Sequence, residues 1–260
     1  MIKTAIVTGA ASGLGYELAL LLAKDGYNLI LIDIDEMNLL VAKQNILGFS
    51  TIDVKLIVKD LSEHNVAESI FKEIKDTPID VLINNAGFGL FGTFSDSNWK
   101  RELEMLQVHI ITTTHLTKLV LDGMIKQKSG KILNMSSLAA FQPGPLMSIY
   151  YASKSYMLSF SEAIANELKG TGVTVTALCP GPTKTSFQDV VSNGSTDNKI
   201  TFNMACPKKV AAYGYRGMHQ GKTVLVPGMF NKFLSGLPRF LSRDRATSIV
   251  RRIQEKNRDI

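Results

Sequence analysis

The apolar run Thr4-Ala5-Ile6-Val7-Thr8 stops at Gly9-Ala10-Ala11-Ser12-Gly13-Leu14-Gly15, and the chain continues at once as an apolar helical pattern to Lys24. A strand that ends in a glycine bend and restarts as a helix is the opening of a strand–helix–strand unit. The rest of the chain repeats the alternation. Short β-type runs at Leu29–Ile32, Val54–Val58, Val81–Asn84, Lys131–Met135, Val173–Leu178 and Thr223–Val226 are separated by helical stretches. These helices are expected at about Gly13–Lys24, Glu36–Ile46, Val66–Ile74, Asn98–Met124, Tyr150–Leu168 and Pro207–Met218. The strands read as continuous apolar runs rather than alternating ones, as strands covered by helices on both faces do. The expected fold is therefore α/β: one doubly wound, parallel, seven-stranded sheet with helices on both faces. A chain of 260 residues, 45% apolar and 20% charged, suits one such domain, and no repeat or linker divides it.

Two features fall outside this rhythm. Residues 185–205 form a polar Ser/Asn/Thr-rich stretch after the sixth strand, long for a connection, and are read as a lid over a ligand cleft. Residues 231–260 carry eight Lys/Arg against three acidic residues, a net +5 of the chain's formal +6. The chain is accordingly divided into a body at 1–230 and a basic amphipathic tail at 231–260. The tail has two short apolar pieces, Phe233/Leu237/Leu241 and Ile249/Val250/Ile253, with Pro238 between them. Their apolar sides are expected to pack on the body or on a second subunit. A peripheral membrane contact through the tail is a secondary reading, and no spacing supports nucleic-acid binding. Met1 runs directly into the first strand with no targeting or membrane-spanning segment, which points to the cytoplasm. Cys179 and Cys206 have neither the spacing nor the co-ligands of a disulfide or a metal site, so no metal is expected.

The glycine loop has the spacing Gly-x-x-x-Gly-x-Gly, and its place between strand and helix gives it meaning. Backbone N–H groups at such a bend can approach a pyrophosphate at the helix N-terminus. Asp33 lies 18 residues after Gly15, at the end of the second strand. A carboxylate there can accept hydrogen bonds from ribose hydroxyls and would repel a 2′-phosphate. With Ile34 following it and only neutral Ser12 in the loop, NAD(H) is favoured over NADP(H). The competing reading is a surface aspartate capping the helix that begins at Glu36.

Farther along stand Asn84-Asn85-Ala86-Gly87, Ser136-Ser137, Tyr150-Tyr151-Ala152-Ser153-Lys154 and Pro180-Gly181-Pro182-Thr183-Lys184-Thr185. With the glycine loop, in this order and spacing, they closely resemble the short-chain dehydrogenase/reductase family with its Rossmann fold. The resemblance covers roughly residues 3–230, and from Ser136 to Thr185 it is nearest to a bacterial subgroup of the family. It implies a cofactor set of Gly9, Ser12, Gly13, Leu14, Gly15, Asp33, Asp60, Leu61, Asn85, Ala86, Gly87, Tyr150, Lys154, Pro180, Gly181, Thr183 and Thr185. In that set Asp60 and Leu61 flank the adenine, Asn84 to Gly87 steady the sheet and line the cleft, and Thr183 and Thr185 meet the nicotinamide carboxamide. It also implies a homodimer or homotetramer.

The chemistry can be reasoned from the residues themselves. Hydride transfer at a carbinol carbon requires a proton to leave or join its oxygen, and a phenol can carry it if its pKa falls toward the working pH. Tyr150 and Lys154 stand at i and i+4, so on a helix the ammonium shares the phenol's face and should lower its pKa. Ser137, thirteen residues before Tyr150, can hold the substrate oxygen. Phe88, Leu90, Phe91, Phe141, Leu146, Met147 and Phe187 suggest an apolar alcohol or ketone as substrate.

His109 departs from the family, which usually has asparagine there. Three readings stand: imidazole or its backbone carbonyl takes over a proton relay from the lysine, the ring lines the pocket without catalytic duty, or catalysis is weakened. In the last case the chain would be an NAD(H)-binding regulator with weak or no turnover. Retention of Ser137, Tyr150 and Lys154 favours the enzyme.

Overall fold

The structure, a computed structural model of the chain, describes residues 2–185, 187 and 204–256. Most of the stretch read as a lid, 185–205, lies outside the described residues. Seven strands form one parallel sheet: β1 (Thr4–Thr8), β2 (Asn28–Asp33), β3 (Val54–Val58), β4 (Val81–Asn84), β5 (Gly130–Met135), β6 (Val173–Leu178) and β7 (Val224–Leu225). Their order is β3-β2-β1-β4-β5-β6-β7. In register, Val7 of β1 pairs with Leu31 on one side and Ile83 on the other. The order reverses between β1 and β4, so the connections leaving their carboxyl ends diverge to opposite faces. A crevice opens there, where ligands bind in sheets of this kind.

The helices cover both faces as the apolar strands require. One face carries α1 (Gly13–Lys24), whose Leu18, Ala19 and Leu22 are fully buried with Ala5 and Val7 in one core cluster. On this face too lies α2 (Glu36–Leu47), which buries Leu39 and Ile46. The other face carries α3 (Val66–Ile74), α4 (Trp99–Leu106), α5 (Thr113–Lys126) and α6 (Ser148–Glu167). There Ile70, Leu82, Leu116 and Ile132 form a second core. Asp35, not Asp33, caps α2, accepting the Asn38 N–H at 3.0 Å. That leaves Asp33 for another task.

The long helix expected over Asn98–Met124 is broken. Between α4 and α5, residues Gln107–Thr112 wind as a π-helix, one residue wider per turn, and His109 sits within it. The tail is helical among its described residues. Beyond α7 (Pro207–His219) and β7 come α8 (Met229–Gly236), a 3₁₀ turn at Leu237–Phe240 and α9 (Arg243–Lys256). Ala246, Val250 and Gln254 of α9 are buried, and Gln254 Nε2 donates to the Tyr151 hydroxyl of α6 at 2.7 Å. By contrast α8 has no fully buried residue, although it touches the 3₁₀ turn at Leu138–Phe141. No helix among the described residues is long and apolar enough to cross a membrane.

Candidate active site

The carboxyl ends of β1, β4, β5 and β6 bring the sequence motifs together. At β1 the glycine loop turns into α1 so tightly that a Cβ on Gly15 would lie 2.0 Å from the Gly9 carbonyl oxygen. Only glycine fits there. Asn85 holds the same turn from the β4 side, its Nδ2 donating to the carbonyls of Thr8 and Gly9 at 3.1 and 3.0 Å. The Thr8 hydroxyl accepts the backbone N–H groups of Asn85 and Ala86. Asn84 is buried and donates to Asn134 Oδ1 of β5 and to the Thr117 hydroxyl of α5. The Asn84–Gly87 segment thus ties β4 to β1, β5 and α5.

Asp33 reaches the loop as well. Its carboxylate accepts the Ala11 N–H at 2.9 Å and the Asp35 N–H at 3.1 Å, and each oxygen keeps acceptor capacity. Ser12, in extended conformation at the head of α1, spends no hydroxyl bond on capping the helix, and the first turn carries no acidic residue. A helix N-terminus of this kind, with Leu14 in its first turn, suits an anionic diphosphate. From the β6 side the Thr185 side chain lies beside Gly13, and Thr183 is buried with its hydroxyl donating to the Gly181 carbonyl at 3.0 Å. The Pro180 carbonyl accepts the Leu138 N–H, joining the turn after β6 to the one after β5. Asp60 is folded onto its own turn, accepting from the backbone and hydroxyl of Ser62, and Leu61 is buried in the second core. The residues present fit a dinucleotide.

Tyr150 projects from the first turn of α6 beside Ser137, which follows β5 and caps the 3₁₀ turn at Leu138–Phe141. Burial pushes the Tyr150 phenol up to about 12, and the hydrogen bond with the Ser137 hydroxyl only partly offsets it. The expected lowering by Lys154 is therefore not what this geometry gives: desolvation of the phenolate outweighs every favourable charge. Lys154 Nζ stands 5.6 Å from the Tyr150 ring centre and donates to the Met135 carbonyl at 3.0 Å. It is itself buried, and burial lowers it from 10.5 to about 8. At neutral pH the site thus holds a protonated phenol above an ammonium. Phe187 packs 5.5 Å from the Tyr150 ring, and Phe88 is held between Arg101 and His109.

His109 is 2% exposed and both of its ring nitrogens are committed. Nε2 accepts the Phe88 backbone N–H at 3.1 Å. A backbone N–H can only donate, so Nε2 carries no proton and the neutral ring holds its proton on Nδ1. That proton goes to Ser153 Oγ at 2.9 Å, and the Ser153 hydroxyl in turn donates to the Tyr150 carbonyl at 2.8 Å. The absence of a side chain at Gly87 lets the ring close, since a Cβ there would meet Nε2 at 2.4 Å. The imidazole therefore ties the turn after β4 to the helix that bears Tyr150, and neither nitrogen is left to relay a proton. A relay through the backbone of the π-turn is compatible with this arrangement. Ser153 and the Phe88 N–H had no signal in the sequence beyond their closeness to recognised residues.

Burial and the neighbouring Lys154 hold the His109 pKa well below the usual 6.5. A histidine depressed on folding binds fewer protons than the unfolded chain, so stability is lost as pH falls below about 6.5. His109→Gln should flatten that acid-side loss in urea denaturation measured across pH. His109→Ala should cost about 2–4 kcal/mol, from a cavity and two orphaned buried partners.

A family model described as short chain dehydrogenase matches residues 3–196. Hydroxysteroid dehydrogenase-like protein 1 of Gallus gallus is 35% identical over 183 residues, covering 68% of this chain and 55% of that protein. Two solved structures share the fold. A short-chain dehydrogenase/reductase from Burkholderia phymatum in complex with NAD has a TM-score of 0.82 and 22% identity, covering 92% of this chain and 93% of that one. A short-chain dehydrogenase from Sphingobium yanoikuyae in complex with NADPH has a TM-score of 0.79 and 23% identity, covering 93% and 96%. The chain belongs to the short-chain dehydrogenase family of nicotinamide-dependent oxidoreductases.

Proposed function

We propose that this protein transfers a hydride between NAD(H) and an apolar alcohol or ketone, with Tyr150 carrying the proton. The observation that bears most weight is the Tyr150 phenol bonded to Ser137, with the buried Lys154 Nζ 5.6 Å from its ring centre. When bound, the nicotinamide supplies or accepts the hydride. In the reducing direction Ser137 holds the carbonyl oxygen by a hydrogen bond. The Tyr150 Oη–H bond breaks and its proton passes to that oxygen while the carbonyl carbon gains its new hydrogen. The Lys154 ammonium steadies the phenolate left behind, and oxidation of an alcohol runs the same transfers backward. Phe187 against Tyr150 and Phe88 against His109 support an apolar substrate.

Asp33 supports NAD(H) over NADP(H), because a 2′-phosphate would meet its carboxylate. Asp33→Ala should weaken NADH binding by roughly ten- to a hundred-fold and NADPH binding far less, read by nicotinamide fluorescence. A wild type that already prefers NADPH would contradict this assignment. We further propose a homodimer or homotetramer, for which exposed Trp99, Leu103 and Ile111 offer an apolar face.

The direct test is titration with NADH and NADPH followed by a panel of ketones and aldehydes. Binding with turnover on an apolar carbonyl supports the enzyme. Binding with no turnover on any member of a broad panel favours the regulator.

A further inference from the structure

The segment after β7 carries a second feature that the catalytic reading does not use. Met229, Phe230, Phe233, Leu237 and Phe240 recur at three- and four-residue spacing along α8 and the following 3₁₀ turn, and so share one side. They are 89%, 64%, 65%, 37% and 87% exposed. Scattered single apolar residues on a surface need no explanation, but a row of five with three phenylalanines does. Exposed Lys232 and Arg239 stand among them and Arg243 follows. The chain from Asn198 to Arg243 contains no Asp or Glu. The helix lies beside the turn after β6, where a Cβ on Gly181 would meet Asn231 Nδ2 at 2.9 Å.

We propose that α8 and the turn after it dock on an anionic lipid bilayer, the phenylalanines entering the interface and Lys232, Arg239 and Arg243 resting on the headgroups. Charge decides between this occupant and a second copy of the chain. A two-fold contact would set the stripe against itself, and its cations would face the same cations with no carboxylate in the segment to answer them. A standard protein interface also engages about 20–30 residues a side, many more than this stripe offers. A bilayer that is apolar below and anionic above matches both halves of the pattern. Docking is independent of the chemistry at Tyr150.

The test is co-sedimentation of the full chain with sucrose-loaded vesicles, either pure phosphatidylcholine or an equimolar mixture with phosphatidylglycerol. Capture is expected on the mixed vesicles at low salt, weakly on the neutral ones, and is expected to fall as salt rises. Phe230→Ser with Phe233→Ser should reduce partition by roughly ten-fold or more. Lys232→Gln with Arg239→Gln should reduce it by roughly twenty-fold on the mixed vesicles only. All four positions are exposed, and unchanged circular dichroism and melting midpoint confirm that the variants fold. No capture by anionic vesicles overturns the proposal, as does capture that survives both double variants. A concentration-dependent oligomer dissolved by the phenylalanine variant, without vesicle capture, assigns the stripe to a second copy and overturns it equally.

Discussion

Tyr150→Phe is expected to lower turnover by about 10³-fold while leaving NADH affinity nearly unchanged. The phenyl ring keeps the packing against Phe187, and only the hydroxyl bonded to Ser137 is lost. Binding and chemistry are therefore separable at this position. The wild-type pH profile gives a second readout. With the phenol pushed up to about 12 and Lys154 lowered to about 8, the site is poised to donate a proton through neutral pH. Carbonyl reduction should hold its rate up to about pH 8 and then decline, because Lys154 loses the charge that favours the departing phenolate. Stopped-flow oxidation of NADH by wild type and variant, with binding followed by fluorescence, checks both. Substantial residual turnover in Tyr150→Phe would remove the phenol from the mechanism.

The architecture was legible because parallel strands covered on both faces write themselves as uninterrupted apolar runs. Thr4–Thr8, Val54–Val58, Val81–Asn84 and Val173–Leu178 begin and end where the sequence pattern places them. The site was legible to the extent that its groups sit at strand ends and turns, where a glycine, an aspartate or a serine has few structural reasons to stand. Asp33 is a case in which the structure separates two readings: the cap of α2 is Asp35, and Asp33 faces the glycine loop.

What the sequence could not show depends on burial and on small changes of winding. One extra residue in the turn over Gln107–Thr112 leaves the apolar spacing of the long helix almost intact, so the π-segment has no signature in periodicity. Yet that winding sets His109 against Phe88 and Ser153. The sign of the Tyr150 shift was equally hidden. The i, i+4 pair predicts attraction between phenolate and ammonium, whereas the depth of the phenol decides the balance, and depth belongs to the tertiary fold. The exposure of the α8 phenylalanines, Phe233 among them on an apolar side read from the sequence, was hidden for the same reason. Spacing shows that they share a side and says nothing about what covers it.

Lys154→Met should abolish efficient turnover and stabilise the protein. The ammonium is 5% exposed, and the fall from 10.5 to about 8 measures the cost of keeping it charged. At pH 7 that cost is about 3 kcal/mol. Methionine has nearly the same length and no charge to desolvate, so removing the cation relieves most of this penalty. The lost hydrogen bond to the Met135 carbonyl returns about 1 kcal/mol, leaving a gain of roughly 2 kcal/mol, or about 4–8 °C in melting temperature. The sign of the pH dependence follows from the depressed lysine. Between about pH 8 and 10.5 the unfolded chain binds the proton that the folded chain has released, so Lys154 penalises the wild type progressively less as pH rises. The advantage of the variant should be fully present below pH 8 and vanish toward 10.5. Parallel melting curves of wild type and Lys154→Met over that range isolate this group from the other titrating side chains. A variant less stable than wild type at pH 7 would mean that the ammonium is held by the fold rather than tolerated by it. A Lys154→Met variant that is both more stable and inactive would show a buried charge held at a cost in stability, the trade expected at a catalytic site and not in a structural core.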